Sequence, residues 1–85
     1  MTEDELGRGI VEKLDARAPE SSICPSDVAR ELGGDAWRDL MPAVRAAAAR
    51  LAERGTVVAT QGHTTVDAES ARGPIRIRRG PAWPE

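Results

Sequence analysis

The sequence contains a single cysteine, Cys24. No internal disulfide can form, which points to a reducing compartment. Long apolar runs are also absent. No stretch approaches the ~18 residues of a membrane span, and the acidic opening MTEDEL is not followed by the apolar segment of a signal peptide. These absences predict a soluble cytoplasmic protein with no membrane partner. Histidine occurs once, at His63. One Cys and one His cannot make a zinc site without carboxylates, and no ligand spacing suggests one. Glycine-rich phosphate loops are missing: GRG at 7–9 and GGD at 33–35 match no nucleotide fingerprint. A Cys24–His63 dyad would require a distant loop to fold onto the start of the second helix. The expectation is a protein that is not an enzyme, with no metal, no cofactor and no small-molecule substrate.

What is present is enough for one small domain. The 85 residues include seventeen large apolar side chains spread from Leu6 to Ile77, which three helices and a hairpin would use up. The net charge of −2 conceals an asymmetry. Residues 1–35 carry four basic and nine acidic groups, whereas residues 36–85 carry eight basic and five acidic groups, and all eight basic groups are arginines. A basic half suggests a polyanionic partner, although a dedicated nucleic-acid domain is usually basic overall. A merely solvated arginine surface is the plain alternative.

Local patterns place the elements. Thr2 and Glu5 form a capping-box pattern, and Leu6, Ile10, Val11 and Leu14 make one helical stripe, weakened by Gly7 and Gly9. In SSICPSDVARELGG, Cys24 is expected as N-cap with Pro25 at the first helical position and Asp27 at the third. Ile23 and Val28 would staple that helix start, Gly33 or Gly34 would end it, and SSI before it fits one short strand. Asp35 is the expected N-cap of the next segment, with Trp37 plugging its junction with the second helix. Pro42 interrupts that segment. A proline inside a helix removes one hydrogen bond and clashes with the preceding turn, at roughly 3 kcal/mol. The expectation is a short turn through Trp37–Leu40 and a main helix restarting at Pro42 and ending at Gly55, with a kinked continuous helix as the alternative. Beyond Gly55 the period changes to two: TVVATQ and PIRIRR read as strands, separated by a long polar hairpin loop, GHTTVDAESARG. Within that loop Val66 is expected to anchor on the core, and VDAES to form a single turn capped by Asp67.

The order helix, short strand, helix, helix, strand, loop, strand is that of an α+β fold, the winged helix-turn-helix: a three-helix bundle with a β-hairpin wing. Residues 1–79 would form this domain and residues 80–85 an irregular tail. At SICPSDVAREL, WRDLMPAVRAAAARLAERG, TQG and VDAESARGPIRIRR the chain resembles a family of small bacterial proteins classed as a domain of unknown function, over roughly residues 8 to 79. The resemblance implies the winged-helix fold. It implies no substrate, cofactor or catalytic residue.

Function then turns on the third helix. With Val44 at the centre of its core face, Trp37, Leu40, Met41, Ala47, Ala48 and Leu51 fall within about 60° of it at a helical spacing of about 100° per residue. The opposite face centres on Pro42, Ala46, Ala49 and Glu53, flanked by Arg38 and Arg45 on one side and Arg50 and Arg54 on the other. Reading bases needs long polar groups on that face, and small residues occupy it. Arginines on its flanks suit phosphates, whose contacts position without specifying sequence. The candidate nucleic-acid residues are thus Arg38, Arg45 and Arg50 with His63, Arg72, Arg76, Arg78 and Arg79 of the wing. In the alternative reading Arg50 and Arg54 pair with Glu53 or with acids of the first two helices, and Arg72 with Asp67 or Glu69. The small face of Pro42, Ala46 and Ala49, together with Trp83 of the tail, would then serve protein docking or dimerisation. Trp83 would either meet a partner or fold back over the chain's own apolar surface.

Overall fold

The computed structural model describes Met1–Pro84. Helix α1 spans Glu3–Asp15, strand β1 Ser22–Ile23, helix α2 Pro25–Gly33 and helix α3 Trp37–Glu53; strands β2, β3 and β4 span Val57–Gln61, Thr64–Val66 and Arg76–Arg79. A 3-10 turn at Gly34–Ala36 joins α2 to α3. The four strands form one antiparallel sheet in the order β1-β4-β2-β3. The helices share one face of it. This is an α+β fold in which a helical layer is followed by a sheet.

Helices α1 and α2 start as their sequences require. Glu5 N–H donates to Thr2 Oγ1 at 3.2 Å, and Thr2 N–H to Glu5 Oε1 at 3.0 Å. These bonds to Thr2, its backbone N–H first, hold the Glu5 carboxyl below its ordinary pKa. At α2, Cys24 N–H donates to Asp27 Oδ2 at 2.9 Å, with Pro25 at the first helical position. Ile23 and Val28, on either side of this cap, are both buried. Gly34, at φ +55°, ends α2. Gly9 is needed for packing: a methyl there would press against Leu32 and Val28 where α1 crosses α2.

The start of α3 differs from the expectation. Asp35 lies in the 3-10 turn, the N-cap is Ala36, and no side chain caps the helix. Pro42 does not divide it: the helix runs unbroken from Trp37 to Glu53. Continuity keeps Trp37, Leu40 and Met41 on the stripe of Val44, where all three pack against the buried cluster. Pro42 itself is exposed, as is Arg38 four residues before it. The carbonyl that loses its helical partner therefore lies on the open side of the helix, within reach of water. Trp37 is half-buried at the junction of α2 and α3, packed against the core with the guanidiniums of Arg30 and Arg38 over its ring.

The stretch expected as one long loop holds a further strand. Gln61 faces Thr64 across a two-residue turn in which Gly62 takes φ +61°, and Thr64–Val66 pairs with β2. The chain then makes the single turn capped by Asp67, whose carboxylate accepts from Ser70 Oγ at 2.7 Å and Glu69 N–H at 3.3 Å. These bonds, Ser70 first, hold the Asp67 carboxyl below its ordinary pKa. Ala68 in that turn is buried in the core, and Val66 packs on the core's edge.

The tail from Gly80 folds back. Ala82 N–H donates to the Gly55 carbonyl at 2.9 Å, and the ring of Trp83 lies 4.7 Å from the Arg79 guanidinium. Trp83 thus takes the fold-back placement, half-buried against its own chain. A methyl at Gly80 would overlap the Gly55 carbonyl oxygen, so this return needs glycine. Glu85 lies outside the described residues.

Candidate functional site

The connection from Asp67 to Pro74 decides what α3 presents. It lies along the side of α3 marked by Arg45 and Ala49. Arg45 Nη1 donates to the Ala71 carbonyl at 2.6 Å and the Ala68 carbonyl at 3.4 Å, and Nη2 to the Gly73 carbonyl at 2.6 Å. From the other side Gln61 Nε2 donates to the carbonyls of Arg72 and Pro74. Arg50, one turn beyond Arg45, meets Glu69 Oε1 at 3.3 Å and Glu53 Oε2 at 3.3 Å. Ala49 is 4% exposed. It was expected at the centre of the open face and is instead buried, because a segment some twenty residues later in the chain covers it. Ala46 is half-buried and Pro42 exposed.

The candidate arginines therefore separate by what their donors reach. Arg45 is fastened to backbone carbonyls and Arg50 to carboxylates. Arg79 Nη2 donates to the carbonyls of Leu14 and Arg17 at 3.2 and 3.1 Å. It thereby closes the end of α1, where unpaired carbonyls carry the negative end of the dipole. These three hold elements together. Arg38 is exposed and stacks on Trp37 at 4.5 Å. Arg72, Arg76 and Arg78 are exposed. Among the described residues Arg50 is the only arginine within ion-pair distance of a carboxylate. The expected alternative pairings of Arg54, and of Arg72 with Asp67 or Glu69, are not formed.

Arg76 and Arg78 alternate with the buried Ile75 and Ile77, so they project from the sheet face away from the helices. Register puts Ser22 and Val58 beside Arg78, Thr60 beside Arg76, and Thr65 beside Thr60. Among the described residues this outer face carries hydroxyls and two guanidiniums, and neither guanidinium is within ion-pair distance of a carboxylate. Arg76 is steadied by Ser22, its Nε donating to Ser22 Oγ at 3.0 Å and Nη2 to the Ser22 carbonyl at 2.9 Å. His63 stands exposed in the β2–β3 turn, adjacent to the Gln61 that grips the backbone of Arg72. Gln61 and Ala68 are the residues that sequence reasoning missed. Their partners lie too far along the chain for any local pattern to mark them.

Cys24 is half-buried and accepts a hydrogen bond from Ser26 Oγ at 3.1 Å. Among the described residues no group of three or more His, Cys, Asp or Glu is arranged to hold a metal ion. No described helix is long and apolar enough to cross a membrane.

Fold and surface together define a small α+β domain whose helical layer backs a four-stranded sheet with an arginine-bearing outer face. The chain belongs to the family described as protein of unknown function (DUF3253), whose model matches residues 3–80. The match takes in all of α1 and stops at the residue where the tail begins. A comparison with curated proteins found no match.

Proposed function

We propose that the chain is a winged helix-turn-helix domain that binds nucleic acid by its phosphate backbone, without reading sequence, and is not an enzyme. The order of elements supports the fold: the β1–β4–β2 sheet carries the wing, and the connection from Asp67 to Pro74 folds back along α3. The observation that carries the function is that Arg38, Arg72, Arg76 and Arg78 are exposed and reach no carboxylate within the described residues. Apart from the Nε and Nη2 donors by which Arg76 holds Ser22, their donors are available to an external anion. The interface is shifted from the one the helix pattern suggests, because the wing connection fills the Arg45–Ala49 side of α3. What remains of a binding surface is the wing and the outer sheet face, with Arg38 at the start of α3. The acidic excess lies in residues 1–35, most of it on α1 and α2.

Binding of a random-sequence duplex at about 50 mM and about 200 mM salt tests the reading, because each phosphate contact releases counterions. The expected result is a steep loss of affinity between the two salts, with weaker binding throughout in Arg76→Ala, Arg78→Ala. Absence of binding at the lower salt refutes it. A second reading has one specific observation in its favour. The open part of α3 presents Pro42, Ala43 and Ala46 beside Asp39, a small-residue surface that repels phosphate and suits close approach of a protein element. In that reading the domain docks a partner or a second copy through α3. An oligomer that dissociates on Ala43→Arg would favour it.

A further inference from the structure

We propose that Arg30, Trp37 and Arg38 form a pre-assembled phosphodiester-binding element at the corner between α2 and α3. This rests on the nucleic-acid reading above and adds a contact from α2 that the reading does not contain. Arg30 lies in the last turn of α2 and Arg38 in the first turn of α3. The 3-10 turn between them brings the two side chains to one indole, with guanidinium carbons 4.3 and 4.5 Å from the centroid of Trp37. Both arginines are exposed, and neither reaches a carboxylate within the described residues.

The physics of that stack favours an anion. A guanidinium held by its face on an aromatic ring keeps its N–H edge free, and the ring attracts the charge without neutralising it. Two like charges against one indole repel each other, and an anion bridging their edges relieves that repulsion. The ring also fixes the side chains before binding, which reduces the ordering cost of forming bidentate contacts. Four acids flank the corner in sequence: Asp27 and Glu31 on α2, Asp35 in the turn and Asp39 on α3. Asp27 caps α2 and Glu31 is paired with Lys13 at 2.8 Å. Asp35 and Asp39 lie within two residues of Trp37 in the chain and form no ion pair among the described residues, and their field disfavours a dianion more than a monoanion. That favours the singly charged phosphodiester of a backbone over the dianionic form of inorganic phosphate. Arg38 and Arg45 are two helical turns apart on one side of α3, and Arg45 binds the carbonyl next to Arg72. A strand crossing the corner would therefore continue toward the wing.

Trp37 supplies the readout. In a Trp83→Phe background it is the sole tryptophan, and its emission is followed during titration with a random-sequence duplex and, separately, with inorganic phosphate. The salt dependence of duplex binding is compared with that of Arg30→Gln, Arg38→Gln and of a charge-matched control, Arg8→Gln, Arg17→Gln. The proposal expects Trp37 emission to change in step with duplex binding and the salt slope to fall by about two contacts in the corner variant alone. Duplex binding with silent Trp37 emission and an unchanged slope would overturn the corner and leave the wing reading standing. A response to inorganic phosphate at the duplex's own concentration range would overturn the phosphodiester assignment. Absence of duplex binding in every protein would overturn both the corner and the wing reading.

Discussion

Arg45 on α3 and Arg78 on β4 are the same residue in two settings, and the contrast shows how this chain divides its arginines. Around Arg45 a single connection offers three acceptors, the carbonyls of Ala68, Ala71 and Gly73. The guanidinium fastens the wing connection to the helix. Around Arg78 the neighbours are Ser22 and Val58 on adjoining strands, and the sheet face is open. What an arginine does here is set by whether backbone acceptors converge on it. Its place on a helical wheel does not show that.

The comparison is sharpest where the fastening is removed. Arg45→Ala strands three carbonyls and frees the wing connection. Hydrogen bonds to a charged donor contribute roughly 1.5–3 kcal/mol each, with partial repair by water, so a loss of about 3 kcal/mol in denaturant unfolding is expected. Arg78→Ala should stay within about 0.5 kcal/mol of the wild type, as surface substitutions generally do. Gly80→Ala comes next. The added methyl overlaps the Gly55 carbonyl and should cost roughly 1–3 kcal/mol, as overpacking does, while releasing Trp83 to give a red-shifted emission. Arg50→Gln removes two half-exposed ion pairs at 3.3 Å and is expected to cost less than about 1 kcal/mol, with less effect at high salt. Asp67→Asn should have the smallest effect, visible in the pH profile. The folded-state pKa of Asp67 is lowered, so its stabilising contribution is present above the unfolded carboxylate pKa. It is lost as pH falls through the lower folded value. The variant should lack that acid-side loss in a series of thermal unfolding curves.

The same contrast explains what could be read in the sequence. The Thr2–Glu5 capping box, the Cys24 N-cap with Asp27, the burial of Ile23 and Val28, the glycine stop of α2 and the Ile75–Ile77 alternation lie within a few residues of their causes. Each was legible because the physics is local. Strand β3 left a faint signal, three β-branched residues after Gly62, which the polar composition of the stretch outweighed. Pro42 misled because helix-breaking is a local cost, whereas three large side chains on the Val44 stripe gain burial only if the helix continues. Ala49 and Ala68 carry no sign of burial in their own neighbourhoods. They are buried because the wing connection returns over α3, held there by Arg45 and Gln61. The α3 part of the candidate site was therefore the least legible, being defined by a contact between distant segments. The outer-face arginines followed from the strand alternation alone.

The most direct test is the salt dependence of duplex binding for Arg45→Ala and Arg78→Ala, each measured at a temperature where the variant is folded. The account predicts that Arg45→Ala keeps the wild-type slope, because its donors meet carbonyls. Arg78→Ala should lose about one contact from the slope. The reverse pattern, with the slope falling in Arg45→Ala and unchanged in Arg78→Ala, would contradict the division of labour on which the account stands.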